Sequence, residues 1–168
     1  KFIFISSIYV SQLEQYEHLN FNDLIYTFSK KACEEIINKK HKNSLILRCS
    51  SFITPYSKKN NLFHLIKNDK NLSVTKTSTY NIINPYDLIK IINNSKYIQK
   101  TKGTFNICSK DNIKVHKMAQ LSNFTKRFGY YRFVSKKVDT QNTYKIFDFL
   151  NKSSKENFIK TFNILNEK

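Results

Sequence analysis

The chain has 168 residues, 40% hydrophobic and 14% aromatic, which is enough apolar surface to close a core and too much for a disordered segment. Its net charge of +17 rests on 29 basic residues, only three of them Arg, scattered among 20 Asn and 20 Ile; this reads as compositional bias rather than a dedicated nucleic-acid surface. No apolar run approaches the ~20 residues of a membrane helix, and Cys33, Cys49 and Cys108, odd in number and far apart, indicate neither a disulfide framework nor a zinc site.

Residues 1–7, KFIFISS, predict a short buried parallel strand. Its carboxyl end, at Ser6 and Ser7, is where α/β proteins place their chemistry. Residues 11–22 read as a polar loop. Residues 21–37, FNDLIYTFSKKACEEII, predict a helix whose Ile25, Phe28, Ala32 and Ile36 recur at three- and four-residue steps, the spacing that lines one helical face. Asn22 or Asp23 can cap its start. Tyr26 and Lys30 fall one turn apart and point into the same space. A lysine ammonium beside a phenol favours the phenolate, and such a pair can give and take a proton at a carbonyl or alcohol carbon.

The spacing alone is weak. This composition yields about 1.5 Tyr-x-x-x-Lys pairs by chance, and the chain has two, the second at Tyr86 and Lys90. Context separates them. Residues 44–49, SLILRC, predict a second apolar strand, and strand–helix–strand implies a parallel crossover that gathers the end of the first strand, Tyr26 and the segment Cys49–Pro55 around one crevice. None of His18, His41, His64 and His116 shows ligand spacing. Gly129 reads as the C-cap of a helical run beginning at Lys114.

In order, FIFISSIYV, YTFSK and LILRCSSFITP resemble the second half of an extended short-chain dehydrogenase/reductase, the family of NAD(P)-dependent sugar-nucleotide epimerases, dehydratases and reductases. The pattern is a strand ending in Ser-Ser, a Tyr-x-x-x-Lys helix with Ser (here Ser29) before the Lys, and a strand ending in Leu-Arg (here Arg48). Tyr86 and Lys90 lack such neighbours. Downstream, YNIINPYDLIKII (80–92) resembles the family's helix opened by an Asp, here Asp87. GTFNICSKDNIKVHKMAQL (103–121) resembles its next strand and helix, and NTYKIFDFL (142–150) with a helix near 155–166 resembles its end.

The resemblance implies an α/β fold: the C-terminal part of a Rossmann-like parallel sheet with helices, plus a small substrate-binding subdomain. Residues 1–60 would hold the second half of the nucleotide-binding domain, and 61–168 the remaining strands and the substrate region. Tyr26 would be the acid/base for hydride transfer at a sugar carbonyl, Lys30 would hold the nicotinamide ribose and favour the phenolate, and Ser7 would polarise the carbonyl. NAD or NADP would be held by Tyr26, Lys30 and the segment Cys49, Ser50, Ser51 and Phe52. Ile8 and Tyr9 stand where dehydratases of this kind carry Asp-Glu, which leaves a deoxysugar-nucleotide reductase or an epimerase.

The family's glycine-rich phosphate loop is expected outside this sequence, because Gly103 and Gly129 are its two glycines and neither follows an opening strand. The chain is thus expected to be the C-terminal part of an enzyme, or alternatively an inactive truncated relic that at most binds a nucleotide-sugar. The partners expected are a nucleotide-sugar substrate and a second copy in a homodimer, with no specific nucleic acid and no membrane; the location expected is cytoplasmic.

Overall fold

The two apolar runs KFIFISS and SLILRC become neighbouring parallel strands of one three-stranded sheet. The computed structural model describes residues 1–18, 21–52, 54 and 61–166. β1 (Phe2–Ser7) leads through a 3-10 helical stretch, Ile8–His18, to α1 (Phe21–Lys40), β2 (Ser44–Cys49), β3 (Ser51–Phe52), α2 (Leu62–Lys67), β4 (Thr79–Tyr80) and β5 (Ile82–Ile83). Then come α3 (Pro85–Asn93), α4 (Ser95–Lys100), β6 (Gly103–Ile107), β7 (Ile113–Lys114) and α5 (Val115–Leu121). The last elements are α6 (Gln141–Ile146), a 3-10 turn at Asp148–Leu150 and α7 (Ser154–Asn166). They form two compact units, each drawn from three stretches of chain.

Unit 1 takes in Lys1–Ser50, Tyr86–Cys108 and Val138–Leu150. Its sheet has the order β1-β2-β6, all parallel, with Phe2 opposite Ser44, Ser7 opposite Cys49, and Cys49 opposite Ile107. Central β2 is covered on both faces: Leu45, Ile46 and Leu47 are each 0% exposed, the burial that an unbroken apolar run requires. Each such side chain contributes roughly 1.5–3 kcal/mol of hydrophobic stabilisation. β1 is less covered, and Phe2 remains 42% exposed. The segment after β1, expected to be a loop from residue 11, is 3-10 helical from Ile8, with Ile8 and Val10 buried.

Helix α1 forms where it was expected, and the face that carries its periodic apolar residues is the outer one. Ile25, Phe28 and Ile36 are 51%, 55% and 56% exposed, and Ala32 is also on the outer side. The buried residues are Thr27, Glu34 and Ile37, with Lys30 partly buried on the same stripe. The reason is polar satisfaction. Thr27 Oγ1 donates to the Asp23 carbonyl (2.6 Å), and Lys30 and Glu34 find strand partners, so none of the three is buried without a hydrogen bond.

Unit 2 comprises Ser51–Pro85, Ser109–Lys137 and Asn151–Lys168. It contains the parallel pair β3–β5 and the antiparallel pair β4–β7. Phe63, Ile66, Leu72, Ile82, Val115, Met118 and Phe158 close its core. Asn81 ties its strands together: its amide donates to the Ser109 carbonyl at 2.9 Å and to the Asp111 carbonyl at 2.8 Å. Gly129 is not a helix cap, since α5 ends at Leu121. Instead its amide donates to the Val74 carbonyl (3.0 Å), and a Cβ there would stand 2.2 Å from the Ser73 carbonyl oxygen. The residue is glycine because two backbone segments touch there.

Candidate active site

The site builds from the end of β1. Parallel β1 and β2 bring Ser6 and Ser7 level with Arg48 and Cys49. Over them α1 sets Lys30 and Glu34 on its inner stripe. The Lys30 ammonium donates to the Ile5 carbonyl at 3.0 Å and stands 5.0 Å from the Phe4 ring centroid and 5.8 Å from that of Tyr26. The ammonium is thus clamped to β1 next to the tyrosine. Tyr26 itself is 46% exposed, with its ring open to solvent. Ser7 is buried, and its hydroxyl accepts from the Tyr9 amide at 3.3 Å. Among the described residues no hydrogen bond joins Ser7 to Tyr26 or to Lys30. The expected trio is therefore half assembled: Lys30 meets Tyr26 and β1, and Ser7 lies two residues beyond the carbonyl that Lys30 holds.

The Cys49–Phe52 segment divides. Cys49 and Ser50 end the first stretch of unit 1, whereas Ser51 and Phe52 begin the first stretch of unit 2. Burial pushes the Cys49 thiol up to about 12; proximity to Cys108 adds to this and the Lys30 charge opposes it. Burial likewise raises Cys108 to about 12. Neither thiol offers a nucleophile near neutral pH. The Ser50 amide donates to the Ile107 carbonyl at 3.0 Å, but its buried hydroxyl has no hydrogen-bond partner among the described residues. Such an orphan costs roughly 1–3 kcal/mol.

A polar network that the spacing argument did not single out supports the site. Glu34, 1% exposed, takes a two-pronged pair from Arg48, with Nη2 to Oε2 at 2.6 Å and Nε to Oε1 at 3.0 Å. The same carboxylate accepts from the Ser6 hydroxyl at 2.5 Å. Arg48 Nη1 donates to the Ser11 hydroxyl at 3.1 Å, which donates to Asn106 at 2.6 Å. Lys30 and Glu34, one turn apart, thus grip consecutive β1 residues, Ile5 and Ser6. A sequence signal existed: Glu34 lies seven residues after Thr27 and four after Lys30, in the register of one helix stripe.

No family model and no curated protein matches the sequence. Solved structures do match the fold. UDP-glucuronic acid 4-epimerase from Bacillus cereus, in complex with UDP-glucuronic acid and NAD, matches 99% of this chain over 61% of its own length, with a TM-score of 0.68 at 20% identity. RMD from Pseudomonas aeruginosa, complexed with NADPH, matches 99% of this chain over 66% of its length, with a TM-score of 0.70 at 12% identity. dTDP-glucose 4,6-dehydratase from Bacillus anthracis in complex with NAD covers 85% of this chain over 52% of its length, with a TM-score of 0.66 at 13% identity. At such identities the likeness shows the fold, which is Rossmann-like α/β. The chain spans about three fifths of the length of the first of these structures. No helix among the described residues is long and apolar enough to cross a membrane.

Proposed function

We propose that this chain is the catalytic and substrate-side part of an NAD(P)-dependent sugar-nucleotide reductase or epimerase. One observation carries the reading: the Lys30 ammonium is fixed on the Ile5 carbonyl beside the Tyr26 ring, at the carboxyl end of a parallel strand. The matched structures lend support, because those three were solved with NAD or NADPH and the first also with its nucleotide-sugar.

The residues fit the nicotinamide end of the cofactor. The unpartnered Ser50 hydroxyl at the end of β2 is a buried polar atom that a polar ligand atom would satisfy. In this reading Tyr26, Lys30 and the segment Cys49, Ser50, Ser51 and Phe52 hold NAD or NADP, which when bound accepts or supplies a hydride. The chain's own residues do the rest. The Tyr26 hydroxyl gives or takes the proton at the sugar oxygen, and the Lys30 ammonium stands beside its ring. Ser7, whose hydroxyl accepts from the Tyr9 amide and keeps its own proton to give, would donate to the same oxygen, polarising the carbonyl. Residues 1–60 then supply the second half of a nucleotide-binding domain, and 61–168 its remaining strand, β6, and the substrate side.

The test joins this chain to a half carrying the glycine-rich loop and follows nicotinamide absorbance over a panel of nucleotide-sugars. Turnover is expected, and Tyr26→Phe is expected to lower it by ~10²–10⁴ with unfolding unchanged, because the ring is retained. Nucleotide-sugar binding without turnover in the joined protein would replace this reading with that of an inactive relic.

A further inference from the structure

The chain's charge is divided unequally between the units. By sequence, unit 2 holds 17 of the 29 basic residues and four of the 12 acidic ones, a net +13, which leaves +4 for unit 1. Two of the three arginines fall in one stretch of unit 2, 126–137 (KRFGYYRFVSKK), with five basic residues, four aromatics and no acid. Because unit 2 is assembled from three separated segments, its net +13 shows only in the folded chain.

The stretch is a rigid ribbon. The Leu72 amide donates to the Arg127 carbonyl (2.9 Å), the Tyr131 amide to Ser73 (3.1 Å), the Thr75 amide to Tyr131 (2.9 Å) and the Thr79 amide to Phe133 (2.8 Å). The contact of Gly129 with the Ser73 carbonyl fixes the register. Phe128 and Phe133 turn inward, packed against the core of unit 2. Tyr130 and Tyr131 turn outward, 100% and 46% exposed. Arg127 and Arg132 flank them, exposed, and neither has an ion-pair partner among the described residues, whereas Lys126 faces Asp69 at 3.7 Å. Lys76 adds a further cation over Phe128.

We propose that ribbon 126–132 of unit 2 binds single-stranded nucleic acid without sequence preference, with Tyr130 and Tyr131 stacking on bases and Arg127 and Arg132 holding phosphates. Two exposed phenols flanked in sequence by guanidinium groups, on a backbone hydrogen-bonded to residues 72–79, supply the two elements such binding requires, aromatic faces for stacking and cations for phosphates. Single strands suit the surface better than duplex, whose bases are already stacked. A lipid surface suits it less well, because no aliphatic side chain lies between Lys126 and Arg132 for insertion. The proposal uses none of Ser7, Tyr26 and Lys30, the residues that carry the hydride-transfer reading, which lie in unit 1.

The test is fluorescence anisotropy of a labelled oligothymidylate of about 20 residues, titrated with the whole chain over a series of salt concentrations. Binding is expected. Replacing both tyrosines (Tyr130→Ala with Tyr131→Ala) should weaken it about thirty-fold, the low end of stacking for two bases, while Tyr130→Phe with Tyr131→Phe keeps it. Arg127→Ala with Arg132→Ala should flatten the slope of log affinity against log salt by about 1.4. Tyr86→Ala, an exposed tyrosine of unit 1, should change nothing. The proposal is overturned if the oligonucleotide does not bind at about 0.1 M salt, or if the double tyrosine-to-alanine protein binds it as tightly as the parent. It is equally overturned if anionic vesicles are bound in its place.

Discussion

The same Tyr-x-x-x-Lys spacing occurs twice in unit 1, on α1 and on α3, and the copies differ in what lies under the lysine. The tyrosines are alike, Tyr26 being 46% exposed and Tyr86 50%. The lysines are not. Lys30 reaches across to β1 and bonds the Ile5 carbonyl, whereas Lys90 lies 4.2 Å over the Phe149 ring. One turn further on, α1 has buried Glu34 gripping Ser6 and Arg48, while α3 has ended and Asn94 caps α4 by accepting from the Lys96 amide. A spacing therefore carries chemistry only where the helix faces a strand end. On α1 the polar stripe is held by β1 and β2; on α3 the lysine covers an aromatic ring.

The largest way to break this contrast is to remove Glu34. Glu34→Ala leaves the Arg48 guanidinium and the Ser6 hydroxyl without their buried acceptor, and should cost ~3–5 kcal/mol in denaturant unfolding. Glu34→Gln keeps the shape and one acceptor and should cost less. Equal loss in the two variants would mean that Glu34 matters for packing rather than for its charge. Lys30→Met comes next: it deletes a charged hydrogen bond to backbone, worth ~1.5–3 kcal/mol. In the joined enzyme it should also weaken cofactor binding, a readout that a purely structural lysine would leave unmoved.

The strands of unit 1 were legible because burial on both faces writes itself as an unbroken apolar run, as in Leu45, Ile46 and Leu47. The position of α1 was legible, but its orientation was not. Periodicity groups Ile25, Phe28 and Ile36 on one face without saying which way it points, and Lys30 and Glu34 lie inward because their partners, Ile5, Ser6 and Arg48, sit on strands that no local pattern can point to. Gly129 was misread for a similar reason: the backbone it touches, at Ser73, is 56 residues away in sequence. Of the candidate site, the meeting of Tyr26 with Lys30 followed from helical spacing. The division between Ser50 and Ser51 did not, since it depends on how three separated segments assemble into each unit.

The remaining predictions concern the second copy, where effects should be small. Asn94→Ala removes the side-chain acceptor for the Lys96 amide and should cost about 1 kcal/mol, the usual value of an N-cap. Lys90→Met keeps most of the aliphatic stem over Phe149 and loses the charge above an aromatic face, worth ~0.5–1 kcal/mol at an exposed site. No carbonyl is left without a donor, because Lys90 contacts a ring where Lys30 bonds a strand. Chemical denaturation of Lys30→Met and Lys90→Met side by side tests the contrast directly: the first should lose clearly more stability, and only the first should touch cofactor affinity or turnover in the joined enzyme. If Lys90→Met matches Lys30→Met in both respects, the strand end beneath α1 confers nothing that the Phe149 ring does not.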